Sequence, residues 1–471
     1  YEGKIKCIYI DPPYNTGNEG WIYNDNVNDP KIKKWLGEVV GKEGEDLSRH
    51  DKWLCMMYPR LVLLQKLLAE DGAIFISIDD NEHANLLLVC NEIFGSNNFI
   101  QDIIWNKRVS PARDAKFFST DHEYILVYSK NKESLTTHFL PRTEKNNSYY
   151  KNPDNDPRGP WNSAAYTCNK SRDERPNLYY PITNPYTGEK IFPKESAVWA
   201  YSEETYQQHV RDNLLYWGVN GEAKQPRKKA FLSEVGDVVP RSVWSHSDVG
   251  STQKATMENN TIFNMRAFSY PKVSTLVERI IQIASDKDSI VLDSFAGSGT
   301  TAHAVLNMNK SDGGNRKFIL VEMGDYADTI TAERVKRVIN GYGEGKNAVE
   351  GTGGNFSYYE LGNPLFMQDG TINDEVDITE VRKYVWYTET NGIEYKEDIQ
   401  EKYFLGSYND TAYYFYYEKD RVTILDYEFL TSVHKKEQTY VMYADSCALS
   451  DSDLQKWNIT FKKIPRDIEH I

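Results

Sequence analysis

Cysteine is scarce in this chain of 471 residues: there are five, at Cys7, Cys55, Cys90, Cys168 and Cys447, and no CxxC pair among them. Such scatter excludes a zinc ribbon or a disulfide framework and points to a reducing, cytoplasmic setting. His50, His83, His122, His209, His246 and His303 show no ligand spacing and read as structural or surface groups, so no metal site is expected. No apolar run approaches the ~20 residues of a membrane span. No secretory signal opens the chain. No GxxxxGK(S/T) phosphate loop is present, which excludes an ATP-driven translocase. Basic charge is also in deficit, with a formal net charge of −14. By segment, residues 341–471 carry about −11 and residues 101–265 about +2, so the acid sits mainly in the tail and local basic surfaces can still face phosphates. The chain begins with Tyr1 and enters a strand almost at once, from which further residues upstream are expected.

What is there reads as alternating strands and helices. Ile5 to Ile10 is an apolar run typical of a buried strand. Trp53, Met57, Leu61, Leu64 and Leu68 share one helical face over 52–69, with Asp71-Gly72 as the stop. Ala73–Ile78, Ile100–Trp105 and Tyr124–Tyr128 read as strands, and Asn81–Phe94 as a helix stopped by Gly95. The pattern returns after residue 265: a helix marked by Val273, Leu276, Val277, Ile280, Ile281 and Ala284, a strand over 289–295, a helix from Thr300, a strand over 317–322 and a helix over 326–340. Such alternation implies an α/β fold with a mostly parallel, doubly wound sheet. Between the halves, 131–265 mixes Asn, Pro, cations and aromatics and reads as an inserted domain. The glycines of 341–354 read as a linker, and beyond them the chain turns β-rich and acidic. The expected domains are therefore 1–130, 131–265, 266–345 and 346–471.

Two strand tips carry the chemistry. Asp11-Pro12-Pro13-Tyr14 follows the first strand. A carboxylate, two prolines with fixed φ and an aromatic ring can hold and desolvate a flat, amino-bearing ring. The competing reading is an ordinary strand-to-loop turn. Far downstream, Ile290 to Phe295 leads into Ala296-Gly297-Ser298-Gly299-Thr300-Thr301. Glycines there permit a tight turn and close backbone approach, and the following helix offers free N–H groups. Glu322, at the end of the next strand, suits two ribose hydroxyls; the competing reading is a solvated strand end. A dinucleotide-binding dehydrogenase would share this second tip and leave the first unexplained. Lys272 opens a helix at the end where the dipole disfavours it, so a compensating partner, such as a cofactor carboxylate, competes with simple exposure. In the inserted segment Arg142, Lys145, Arg158, Lys170, Arg172, Arg175, Lys224, Arg227, Lys228 and Lys229 interleave with Trp161, Tyr166, Tyr179 and Tyr180. As a patch they suit phosphate contact plus stacking; each alone reads as a solvated surface residue.

With Ile10-Asp11-Pro12-Pro13-Tyr14-Asn15-Thr16-Gly17-Asn18, Trp53–Arg60 (WLCMMYPR), Phe75–Asn81 (FISIDDN), Phe117–Tyr128 (FFSTDHEYILVY), Leu292–Thr301 (LDSFAGSGTT), the Arg334-Val335-Lys336-Arg337 segment and Gly354–Tyr359, the chain resembles the Mod subunits of type III restriction–modification systems over about 1–361. That resemblance implies a Rossmann-like S-adenosyl-L-methionine-dependent methyltransferase fold with an inserted target-recognition domain and a β-rich C-terminal domain. It implies transfer of a methyl group to N6 of a flipped-out adenine in double-stranded DNA. Asp11, Pro12, Pro13 and Tyr14 would form the catalytic turn. Asp293, Phe295, Gly297, Gly299, Thr300, Glu322 and Lys272 would bind the cofactor, and Arg142, Lys145, Arg172, Arg175, Arg227, Lys228 and Lys229 would contact DNA. The family's Gly-Asp-Asn-type segment, which precedes the catalytic strand, has no counterpart here. A homodimer and an ATP-dependent restriction subunit are the implied partners. A DNA-recognition scaffold with weak or lost transfer, and an N4-cytosine enzyme, are the alternatives.

Overall fold

The computed structural model describes residues 1–16, 49–113, 115–367, 369–396, 401–465 and 468. Gly17 and Asn18 of the first motif lie outside them. The chain divides into two compact units, Tyr1–Phe356 and Ser357–Ile471.

Seven strands form the main sheet of the first unit. They are β1 (Ile5–Ile10), β2 (Leu68–Ile78), β3 (Phe99–Asn106), β4 (His122–Ser129), β5 (Val243–Trp244), β6 (Ile290–Asp293) and β7 (Lys317–Leu320), in the order β5-β3-β4-β2-β1-β6-β7. Every neighbouring pair is parallel except those of β4, which runs antiparallel to β2 and β3. Strand β1 is buried along its whole length because both faces are covered. Cys7 and Tyr9 enter one core with α3 (Thr252–Phe263), α4 (Ser274–Ala284) and α5 (Thr300–Asp312). Ile5, Ile8 and Ile10 enter the other with α1 (Arg49–Leu67) and α2 (His83–Cys90). Full burial of such side chains stabilises the fold by about 1.5–3 kcal/mol each.

Three boundaries differ from the sequence expectation. Asp71-Gly72 does not stop a helix: α1 ends at Leu67 and β2 runs straight through both residues. Gly72 is required there, since a Cβ would lie 2.9 Å from the carbonyl oxygens of Ile5 and Lys6. The glycine stretch after α6 (Glu333–Asn340) is not a free linker. Gly341-Tyr342 pairs with Val349-Glu350 as a hairpin, so residues up to Phe356 stay with the first unit. The inserted segment also returns to the main body before residue 265. Strand β5 pairs with β3, and Val249 and Ala255 lie in the sheet's own core.

The rest of the insertion has a separate small core of Tyr166, Tyr180, Ile182, Trp199, Tyr206 and Trp217, beside a three-stranded sheet of Trp161–Ala165, Arg227–Phe231 and Leu215–Tyr216. The second unit is built on β8 (Phe404–Tyr408), β9 (Thr411–Phe415), β10 (Thr439–Ala444) and β11 (Ile459–Lys463), in that order across the sheet. Helix α7 (Ile378–Thr390) packs Val381, Val385 and Trp386 against it.

Candidate active site

Strands β1 and β6 pair in register, Cys7 opposite Val291 and Ile8 opposite Leu292. Their C-terminal tips, one leading to Asp11 and the other to the glycine turn, are therefore side by side. This is the crevice where open α/β sheets bind ligands.

At the first tip Pro12 is buried, and the Trp53 indole N–H donates to the Pro13 carbonyl at 2.7 Å, which fixes the turn. Lys272 Nζ donates to both Asp11 carboxylate oxygens, at 2.6 and 2.7 Å, and to the Tyr14 hydroxyl at 2.8 Å. The Tyr14 hydroxyl lies 2.9 Å from Asp11 Oδ1 and 3.0 Å from Glu123 Oε2, so its one proton serves two carboxylates. Glu123, at the start of β4, also takes Lys107 Nζ at 2.9 Å and lies 3.5 Å from Lys272. Burial raises the Asp11 pKa above the ordinary aspartate value; the Lys272 charge pulls it back and Glu123 pushes it up. Burial also opposes ionisation of Glu123, but Lys272 and Lys107 outweigh it and leave its pKa below the usual glutamate value. Burial and the two neighbouring carboxylates hold the Tyr14 phenol neutral. Lys272 stays charged because Asp11 and Glu123 offset the cost of burying it.

At the second tip Gly297 and Gly299 adopt φ of +51° and +81°. A Cβ on Gly299 would lie 2.9 Å from the Thr331 carbonyl oxygen. Asp293 caps the turn, taking the Phe295 N–H at 3.0 Å and the Thr301 hydroxyl at 2.5 Å, and burial pushes its pKa up to about 7. Glu322 reaches across from the end of β7 to accept the Gly297 N–H at 2.7 Å. Beneath the turn lies Arg334, which is fully buried. It donates to Ser298 and Thr300 hydroxyls at 2.9 Å each and to Glu258 at 2.5 Å.

The structure brings together Asp11, Pro12, Pro13, Tyr14 and Lys272 on one side, and Asp293, Phe295, Gly297, Gly299, Thr300 and Glu322 on the other. It also redistributes their parts. Asp293, Phe295 and Thr300 are buried; the Asp293 carboxylate bonds within the turn that it shapes, and the Thr300 hydroxyl bonds out of it to Lys272. The Lys272 ammonium sits on Asp11, which is the partner that a lysine at a helix start requires, while its carbonyl takes the Thr300 hydroxyl at 3.2 Å. Lys272 thus ties the two tips to one another. Glu123 and Lys107 escaped the sequence reading. The available signal was a carboxylate at the head of an otherwise apolar strand.

Among the basic residues of the insertion, Lys229 is not at the surface. It is 2% exposed and paired with Asp154 at 2.5 Å and Asp156 at 2.8 Å. It shares a strand face with buried Phe231, while its neighbour Lys228 takes the opposite, half-buried face. Trp161, Tyr166 and Tyr180 are likewise core residues rather than stacking surfaces. Lys145, Arg172, Arg175 and Arg227 are exposed. Arg142 and Lys228 are half-buried over the rings of Tyr150 and Tyr201, at 5.1 and 5.2 Å.

Fold and site together define a Rossmann-like S-adenosyl-L-methionine-dependent methyltransferase fold with an acidic proline turn beside its glycine turn. A family model described as DNA methylase matches residues 5–333, and the chain belongs to that family. It is 36% identical over 366 residues to the type III restriction-modification enzyme StyLTI Mod subunit of Salmonella typhimurium, covering 72% of this chain and 54% of that protein. It is 33% identical over 359 residues to the EcoPI Mod subunit of Escherichia phage P1, covering 68% and 54%. It is 34% identical over 337 residues to the type II methyltransferase M.KpnI of Klebsiella pneumoniae, covering 68% and 75%. The chain spans about half the length of the type III relatives it matches. Among the described residues no helix is long and apolar enough to cross a membrane.

Proposed function

We propose that this chain is the modification subunit of a restriction–modification system, transferring a methyl group to N6 of adenine in double-stranded DNA. The observation that carries the reading is the junction at Lys272, which joins the Asp11 turn to the first turn of α5.

S-adenosyl-L-methionine, when bound, supplies an electrophilic methyl group on a sulfonium. The residues at the second tip fit it. Glu322 is a half-buried carboxylate beside two glycines of positive φ; its Oε1 takes the Met323 and Gly324 N–H groups, while Oε2, which takes the Gly297 N–H, keeps a lone pair for a ribose hydroxyl. The exocyclic amine of adenine is a poor nucleophile because its lone pair is delocalised into the ring. Asp11 Oδ2 holds one Lys272 hydrogen bond and keeps a lone pair for one amine N–H. The Pro13 carbonyl is committed to Trp53, whereas no bond to the Pro12 carbonyl is seen among the described residues, so Pro12 takes the second N–H. Two acceptors draw the nitrogen towards sp³ and aim its lone pair at the methyl group. With the cofactor bound, the methyl group would pass to nitrogen as its bond to sulfur breaks and a neutral thioether leaves; Asp11 would then stabilise the positive nitrogen and accept the surplus proton. Positioning supplies most of the acceleration.

A base inside a duplex is out of reach of this crevice, so the adenine is flipped out. Exposed Lys145, Arg172, Arg175 and Arg227, with Arg142 and Lys228, give the insertion its phosphate contacts. The expected assembly is a homodimer working with an ATP-dependent restriction subunit in the cytoplasm. Single-molecule sequencing of DNA from cells expressing the protein tests the reading. N6-methyladenine at one recurring motif supports it. DNA without any mark, from cells whose protein binds DNA, would leave a recognition scaffold instead.

A further inference from the structure

The arch between β3 and β4 joins two strand ends at the catalytic edge of the sheet. β3 runs parallel to β1 and β4 antiparallel to them, so residues 107–121 leave and re-enter on the same side as Asp11. Its feet belong to the site. Lys107 is the residue after β3, and it pairs with Glu123, which in turn binds the Tyr14 hydroxyl. The arch is stapled: Lys107 N–H donates to the Asp121 carbonyl at 2.9 Å, and Ala112 N–H to the Ser119 hydroxyl at 2.7 Å. Near its crown stand Phe117 and Phe118, 83% and 93% exposed. Among the described residues only the Lys116 ammonium, 5.4 Å from the Phe117 centroid, lies over them, and two adjacent exposed phenyl rings are unfavourable in water unless something covers them. Their setting names the cover. Besides Lys107, which is paired with Glu123, the arch sequence carries Arg108, Arg113 and Lys116 against the acids Asp114 and Asp121, a slight cationic excess that suits phosphates.

We propose that this arch enters the DNA duplex beside the target, with Phe117 and Phe118 stacking into the gap that the extruded adenine leaves. The inference rests on the adenine methyltransferase reading and assigns a part to residues that the chemistry does not use. The rings offer flat apolar faces to the neighbouring bases, while Arg108, Arg113 and Lys116 hold the flanking backbone. Filling the gap offsets the cost of unstacking and keeps the adenine outside long enough for Asp11 to take it.

The test is the double variant F117A/F118A, on a duplex carrying the motif found by sequencing, with 2-aminopurine in place of the target adenine for the binding arm. Wild-type protein gives a rise in fluorescence on binding, and the variant loses that rise. On the fully paired motif the variant's kcat/KM falls by roughly 10- to 100-fold, and a duplex with an abasic position opposite the adenine restores most of the loss, because the unpairing cost is already met. Calorimetry with S-adenosyl-L-methionine, unchanged in the variant, shows that the site is folded. Equal loss on paired and abasic duplexes, or no loss on either, overturns the proposal. So does a shift in sedimentation of the DNA-free variant, which would make the Phe pair a contact between copies. If wild-type protein marks no DNA, the methyltransferase reading fails first, and the wedge falls with it; wild type alone reveals that outcome.

Discussion

Asp11 is held by opposing influences, and its behaviour follows from them. It must be ionised to accept an amine N–H. Burial raises its pKa and Lys272 lowers it, so the acid limb of the kcat/KM profile lies above the ordinary aspartate range. Replacing Lys272 with Met removes the lowering charge. The acid limb then moves to higher pH, and a pH–rate series on both proteins measures it. No shift, or a shift downwards, would show that Lys272 does not act on Asp11. Glu123 was missed because its importance lies in partners distant in sequence: Tyr14, 109 positions away, and Lys272, just ahead of α4. By contrast, Asp11 and Tyr14 were legible because proline and aromatic neighbours mark a strand tip locally.

Among the elements, the glycine turn and its buried support make two predictions. Gly299→Ala places a Cβ 2.9 Å from the Thr331 carbonyl at φ +81°. The strain, about 1–3 kcal/mol, should weaken S-adenosyl-L-methionine binding in calorimetry while leaving DNA binding intact. Arg334 and Glu258 form a buried pair under the same turn. Burial opposes the Glu258 charge, but the His303 hydrogen bond and Arg334 hold its pKa down to about 2. A carboxylate with a depressed folded pKa contributes stability that is complete above its unfolded value of 4.5 and is lost as pH falls towards 2. Arg334→Met strands that carboxylate and should cost about 3–5 kcal/mol at neutral pH. Denaturant unfolding at several pH values measures the cost, together with a shallower acid-side loss. The central strands and helices were readable because a doubly covered sheet leaves continuous apolar runs. Gly72 and the hairpin at 341–350 were not, since a glycine that ends an element and one that admits a neighbouring backbone look the same in sequence. Lys229 misled for a similar reason: exposed and buried positions alternate along a strand, and only the pairing tells which face a cation takes.

Across the whole molecule, each unit has its own core, so the first should stand alone. A fragment of residues 1–356 is expected to fold cooperatively and to bind S-adenosyl-L-methionine within about threefold of the full chain, a difference of under 1 kcal/mol. The tail was visible as acidic and β-rich, with β10 readable as a strand, but the order of β8 to β11 emerged only from tertiary pairing. The account's central claim joins two sites that lie far apart in sequence, one acidic and one glycine-rich, into a single crevice. It is tested most directly by methyl transfer from labelled S-adenosyl-L-methionine to mixed-sequence duplex DNA, comparing wild type with Asp11→Ala. The account predicts label in adenine with wild type, and loss of at least ~100-fold in the variant with cofactor binding retained. Label that persists undiminished in Asp11→Ala, or none with either protein, would contradict it.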